Sequence, residues 1–189
     1  MPLQRYIAFL RAINVGGHTV KMDVLRKYFE KTGFSSVETF IASGNVIFET
    51  NSRDAEALER QIERDLKQML GYEVATFLRT PSELANILAN NPFASDPPDS
   101  EEGSLYIAFL PAAPGAEAME GILASRTAET EFLLRDREIF CRFRKKMSDS
   151  KFSGARFEKT IGMPMTMRNI TTVRKLAARF PAKPVGEMP

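Results

Sequence analysis

Tyr106-Ile107-Ala108-Phe109-Leu110 repeats Tyr6-Ile7-Ala8-Phe9-Leu10 residue for residue, and this repeat decides the fold. Five matching residues gain weight because the order of elements around them repeats as well. Each copy is apolar at every position, the pattern of a strand covered on both faces. After the first copy, Met22, Leu25, Tyr28 and Phe29 follow helical spacing up to Gly33. Val37 to Phe40 and Val46 to Phe48 then read as a hairpin around Ser43-Gly44-Asn45. A helix to Leu70, a strand over 73–79 and a short helix complete the first half. Thr80-Pro81-Ser82-Glu83 opens that short helix as a capping box.

The second copy is followed by a helix near Gly115 to Ala124, a hairpin of Thr130 to Arg135 with Glu138 to Phe143, and a helix over 151–161. A strand at Met163 to Met167 and a helix from Thr171 to Phe180 follow. Both halves therefore read strand, helix, hairpin, helix, strand, helix. Without the last helix this is the ferredoxin-like βαββαβ unit. The expected class is α+β, with two ferredoxin-like halves at 1–93 and 104–180, each carrying an added C-terminal helix. Residues 94–103, with two prolines and no apolar period, read as a linker, and 181–189 as a loose tail. Helices cover one sheet face in such a unit, so the second half or a partner chain is expected on the other. A homodimer would provide that cover.

The chain has 189 residues, 43% hydrophobic and 26% charged, an ordinary globular composition. It has no apolar run of about 18 residues and no signal-peptide pattern, so a cytoplasmic protein without membrane association is expected. The net charge is only +2, yet Arg135 to Lys183 holds fourteen Lys and Arg against Asp136, Glu138, Asp149 and Glu158, a local excess of ten. Such an asymmetry attracts anions.

One histidine, His18, and one cysteine, Cys141, exclude a multi-ligand zinc site built on those residue types. No Walker A, Gly-x-Gly-x-x-Gly or Gly-x-Ser-x-Gly pattern occurs, and no cofactor is implied. Cys141 alternates with Ile139 and Phe143 and reads as a buried small hydrophobe. What remains is polar but not acid–base chemistry. The first loop carries Arg11, Asn14, Gly16, Gly17 and Lys21, the hairpin Ser43 and Asn45, and the late segments Lys151, Arg168 and Asn169. Arg, Lys, Asn, Ser and backbone N–H groups at strand ends and helix starts suit a phosphate or carboxylate. Each also has a local structural role open to it, as cap or turn residue. The expectation is binding of a small anionic or phosphorylated ligand at the Asn14 to Lys21 loop, with catalysis unassigned. One alternative is nucleic-acid binding through the basic C-terminal third, although the aromatic segment of RNA-binding ferredoxin-like domains is absent. The other is a structural or dimerisation module.

Phe9-Leu10-Arg11-Ala12-Ile13-Asn14-Val15-Gly16-Gly17, Lys21-Met22 and Ser43-Gly44-Asn45-Val46-Ile47-Phe48, with Ser150-Lys151 and Thr166 to Asn169, give the chain a resemblance to a bacterial family. It resembles the domain-of-unknown-function family numbered sixteen ninety-seven over nearly its whole length. The resemblance implies an α+β fold related to the ferredoxin-like unit and no assigned activity. It also leads one to expect Trp where this chain has Ile170, and a less basic approach to Ser150 than Arg144-Lys145-Lys146.

Overall fold

Two antiparallel sheets with the same strand order organise the computed structural model, which describes residues 3–14, 17, 19–95, 99, 100 and 103–182. Val15, Gly16, His18 and the tail from residue 183 lie outside the described residues, as do 96–98, 101 and 102 of the expected linker. The first half runs β1 (Gln4–Leu10), α1 (Met22–Lys31), β2 (Ser35–Phe40), β3 (Asn45–Thr50), α2 (Ala55–Leu70), β4 (Thr76–Arg79) and α3 (Pro81–Ala89). A two-residue strand β5 (Asp99–Ser100) precedes the second half. That half runs β6 (Gly103–Phe109), α4 (Ala116–Ala124), β7 (Thr130–Arg135), β8 (Glu138–Phe143), α5 (Gly154–Ile161), β9 (Thr166–Asn169) and α6 (Ile170–Arg179). The strand orders are β2-β3-β1-β4 and β7-β8-β6-β9, with β5 added beside the start of β6. This is the ferredoxin-like order in both halves, and α3 and α6 are the added helices. By backbone proximity the chain forms two compact units, Met1–Ala85 with Phe180–Pro189, and Asn86–Arg179.

The repeat is kept at the level of single bonds. Leu10 N–H donates to Gly44 O at 2.8 Å, and Leu110 N–H donates to Arg137 O at 3.0 Å, so each copy ends by tying its strand to the neighbouring hairpin turn. Ile7 pairs with Arg79 and Ile107 with Arg168, which puts a buried arginine at the same register in both halves. Phe9 pairs with Asn45 and Phe109 with Glu138, again two buried polar residues at matching places.

In the first unit Tyr6, Ala8, Leu10, Val46, Phe48 and Leu78 face Leu25 and Phe29 of α1 and Leu58, Ile62 and Leu66 of α2. In the second, Ala108, Leu110, Phe132, Ile139, Cys141 and Phe143 cluster with Ile122, Phe157 and Ile161. The residues that alternate to the opposite faces, among them Ile7, Phe9, Ile47, Phe77, Ile107, Phe109 and Phe140, are buried too, as an apolar-throughout strand requires.

Edge strands expose N–H groups that invite further pairing. Here Glu59 and Glu63 of α2 accept from the N–H groups of Leu78 and Thr76 on β4, at 2.7 and 2.8 Å. Glu158 of α5 accepts from Met165 N–H just before β9, at 2.8 Å. The other edge of the first sheet is broken by a bulge between Ser35 and Glu38, where Ser36 adopts φ 49°.

Cys141 is fully buried, and loss of solvation pushes its thiol well above the ordinary range. A thiol held protonated and out of reach does not act as a nucleophile. The native protein should therefore not react with a disulfide reagent at pH 8, and should react fully once unfolded in guanidinium. Fast labelling of the folded chain would contradict the burial.

No described helix is long and apolar enough to cross a membrane.

Candidate functional site

The β1–α1 loop and the β2–β3 hairpin touch, and their polar residues are largely used to hold each other. Asn14 Oδ1 accepts from Val20 N–H at 2.6 Å, and its Nδ2 donates to Ala42 O at 3.3 Å. One side chain thus closes its own loop and staples it to the hairpin. Arg11 N–H donates to Ala75 O at 2.8 Å, and Tyr72 Oη donates to Ile13 O at 3.1 Å. Asn45, fully buried, donates from Nδ2 to Phe40 O and to Ser43 Oγ, both at 2.9 Å. Gly17 is exposed at φ 88°, and Lys21 is the exposed N-cap residue of α1, its side chain making no capping bond. Ala12 and Ile41 hold left-handed φ of 54° and 51°, which costs a non-glycine residue about 1 kcal/mol or more each. The structure therefore ties Asn14 to the hairpin that holds Ser43 and Asn45, one polar centre of the first unit. Arg11, Gly17 and Lys21 belong to the same β1–α1 loop, and Gly16 falls outside the described residues.

The late residues belong to the second unit and do not form one group. Arg168 is buried on β9, donating to Thr166 Oγ1 at 2.8 Å and Met167 O at 2.9 Å. Burial lowers its pKa to about 10, which still leaves the guanidinium charged at neutral pH. Asn169 Oδ1 accepts from Thr171 N–H at 2.7 Å and so caps α6. Lys151 lies elsewhere, in the wall of a cavity that Arg168 and Asn169 do not line.

That cavity has a volume of about 770 Å³. Its walls are the end of α4 at Ala124 and Ser125, the turn Thr127 to Thr130, part of the β8–α5 connection, and the exposed side of α5 to Thr160. The floor is aromatic. Phe132 and Phe157 are buried with ring centroids 4.8 Å apart, and half-buried Phe152 lies 5.8 and 5.5 Å from them. Ser153 is the N-cap of α5, its hydroxyl accepting from Arg156 N–H at 3.4 Å. Of the cations in the wall, Lys145 pairs with Glu129. The Lys151 ammonium and the Arg156 guanidinium have no protein partner among the described residues.

The repeat supplies an internal reference for this place. The β3–α2 connection of the first half is four residues, Asn51-Ser52-Arg53-Asp54, without net charge. Its counterpart between β8 and α5 is ten residues, Arg144 to Ser153, with Arg144, Lys145, Lys146 and Lys151 against Asp149. The helix that follows differs as well. Helix α2 is capped by Asp54 and carries Glu56 in its first turn, whereas α5 is capped by Ser153 and has no acid there. Acidic groups at a helix start already occupy its positive end, and their absence leaves that end open to an external anion. Of the residues picked from sequence, Ser150 and Lys151 lie here; Arg156 and Phe152 were missed. Aligning the two connections across the repeat would have found them.

Comparison with known proteins bears on the fold. A family model described as protein of unknown function, DUF1697, matches residues 3–140. The β8–α5 connection and α5 lie beyond the matched span. No curated protein matches the chain. Among solved structures, a conserved bacterial protein from Streptococcus pneumoniae, SP0830, is similar, with a TM-score of 0.74 at 21% identity, over 96% of this chain and 100% of that one. At that identity the likeness concerns the fold.

Proposed function

Since the chain belongs to the DUF1697 family of proteins of unknown function, we propose that it binds a small anionic ligand, in the second-unit cavity at Lys151 and Arg156. The observation that carries this reading is the difference between the two halves at one place. A short neutral connection into an acid-capped helix has become a long basic connection into a helix with a neutral cap. A fold that needed only to pass from strand to helix is served by four residues, as the first half does it. Two cations without protein partners beside a helix start give phosphate or carboxylate oxygens both charge and N–H donors.

The Asn14 to Lys21 loop is the other candidate place for the same ligand. Its weakness is that Asn14, Ser43 and Asn45 spend hydrogen bonds on one another and on the neighbouring backbone. Nucleic-acid binding by base stacking on the first sheet loses support, because Tyr6, Phe9 and Phe48 are buried.

Thermal unfolding with phosphate-bearing small molecules tests the proposal. A ligand at ten times its Kd should stabilise the fold by about 1.4 kcal/mol. Replacing both Lys151→Gln and Arg156→Gln should weaken binding about tenfold or more, since two charge-assisted contacts go. Lys21→Gln should leave it unchanged. Loss on Lys21→Gln alone would move the site to the first-half loop, and absence of any anion-dependent shift would overturn the function.

A further inference from the structure

We infer that the ligand is a free nucleoside 5′-monophosphate, its phosphate on Lys151 and Arg156 and its base against Phe152, an assignment that rests on the anion-binding reading above. The cavity's size speaks first. At about 770 Å³ it lies within the range of about 300–1,000 Å³ that encloses drug-sized organic ligands, far beyond what an inorganic anion fills.

The chemistry of the floor speaks next. Phe152 belongs to the ten-residue connection that the first half lacks, so the same segment brings a cation and an aromatic ring in consecutive positions. Its ring is backed by Phe132, Phe143 and Phe157 at centroid distances of 5.8, 5.3 and 5.5 Å, while the residue stays half-buried. A ring braced by three others and still partly open is a stacking platform, and any nucleobase has a π-face to lay on it. The cationic end and the platform adjoin at Lys151 and Phe152, as they must for a molecule in which a short polar spacer joins a phosphate to a flat ring. Ribose is such a spacer. The wall also holds the Lys145–Glu129 pair and the turn of Thr127 and Thr130, whose hydroxyls bond each other at 2.8 Å, so charged groups are at hand for the polar edge of a base.

Calorimetric titration of the full chain with AMP, UMP, ribose 5-phosphate, inorganic phosphate and a DNA tetranucleotide separates the possibilities. AMP should bind about tenfold or more tightly than ribose 5-phosphate. Phe152→Leu, which keeps an apolar side chain without a π-face, should remove that advantage and leave ribose 5-phosphate binding as it was. If that variant is unfolded by circular dichroism, an upfield ring-current shift of the AMP base protons on the wild-type chain tests the same contact, and its absence counts against the proposal. Equal binding of AMP and ribose 5-phosphate would overturn the base-stacking assignment while leaving anion binding intact. Tighter binding of the tetranucleotide than of AMP would overturn the free mononucleotide in favour of a strand. No binding of any of the five would overturn the anion reading itself.

Discussion

Replacing Phe48 by alanine will destabilise the protein by about 4 kcal/mol, the usual cost of emptying a large aromatic site in a close-packed core. Phe48 is fully buried on the helix-covered face of the first sheet. Its ring lies 4.3 Å from that of Phe34, 5.7 Å from Phe29 and 5.9 Å from Tyr6, measured between centroids. Three elements meet there: β1 through Tyr6, α1 through Phe29, and the turn after α1 through Phe34. The turn itself is fixed by backbone bonds from Phe34 to Phe29 and from Gly33 to Glu30, so it cannot collapse freely into the space. The cavity term therefore adds to the transfer term, and the melting temperature should fall by ~10 °C for a chain of this length. Phe48→Leu should cost about 1 kcal/mol. Thermal or urea unfolding of the two variants decides it; a loss under about 2 kcal/mol for alanine would mean the cluster is not packed as described.

The repeat, the strand order and the capping of α3 were all readable from sequence because each rests on short-range pattern. Thr80 and Glu83 form the expected box, with Thr80 N–H donating to Glu83 Oε2 at 2.7 Å and Glu83 N–H donating to Thr80 Oγ1 at 3.2 Å. The β7–β8 hairpin falls at the residues that alternation marks, closed by a two-residue turn in which Asp136 takes φ 52°. Boundaries failed where a side chain from another element decides them. Strand β9 lies at Thr166–Asn169 instead of 163–167 because Glu158 holds Met165 N–H outside the sheet ladder and Asn169 caps the helix that follows directly. Helix α5 begins at Gly154 instead of 151, since Ser153 and not Ser150 is its cap, and Ser150 donates to Met147 O at 2.8 Å in the single 3-10 turn Met147–Asp149 before it.

The candidate site was less legible than the fold for a related reason. Polar residues near glycines look alike in sequence whether they await a ligand or bind one another. Asn14 and Asn45 hold their own loops, and Arg168 shares its register with Arg79, so a buried arginine is part of the duplicated frame. Motif-by-motif reading weighs each residue alone. Comparing the halves instead brings forward what only one of them has, which is the basic ten-residue connection and its Phe152.

Gly44→Ala is expected to cost about 3 kcal/mol, and it bears on whether the β1–α1 loop and the hairpin are one rigid unit. The backbone at Gly44 has φ 72°, where any residue with a Cβ pays about 1 kcal/mol. A Cβ there would also sit 2.7 Å from Ile13 Cγ2, 3.3 Å from Leu10 Cβ and 3.2 Å from Leu10 O. The last contact is with backbone and cannot rotate away; moreover Gly44 O accepts the Leu10 N–H bond that ends the repeat strand, so the hairpin cannot retreat without giving up that bond. Overpacking of this kind costs about 1–3 kcal/mol on top of the conformational term. Gly17 is the matched control, with φ 88° and nothing within 4 Å of the place a Cβ would take, so Gly17→Ala should cost about 1 kcal/mol only. Ile13→Ala removes the closest clashing atom, and the double variant with Gly44→Ala should be less destabilised than the sum of the singles by about 1 kcal/mol. Equal losses for Gly44→Ala and Gly17→Ala would show that the hairpin gives way easily. The full difference, with coupling to Ile13, would mean that the polar centre of the first unit is held in place by apolar contact beneath it, and that its hydrogen bonds follow from that packing.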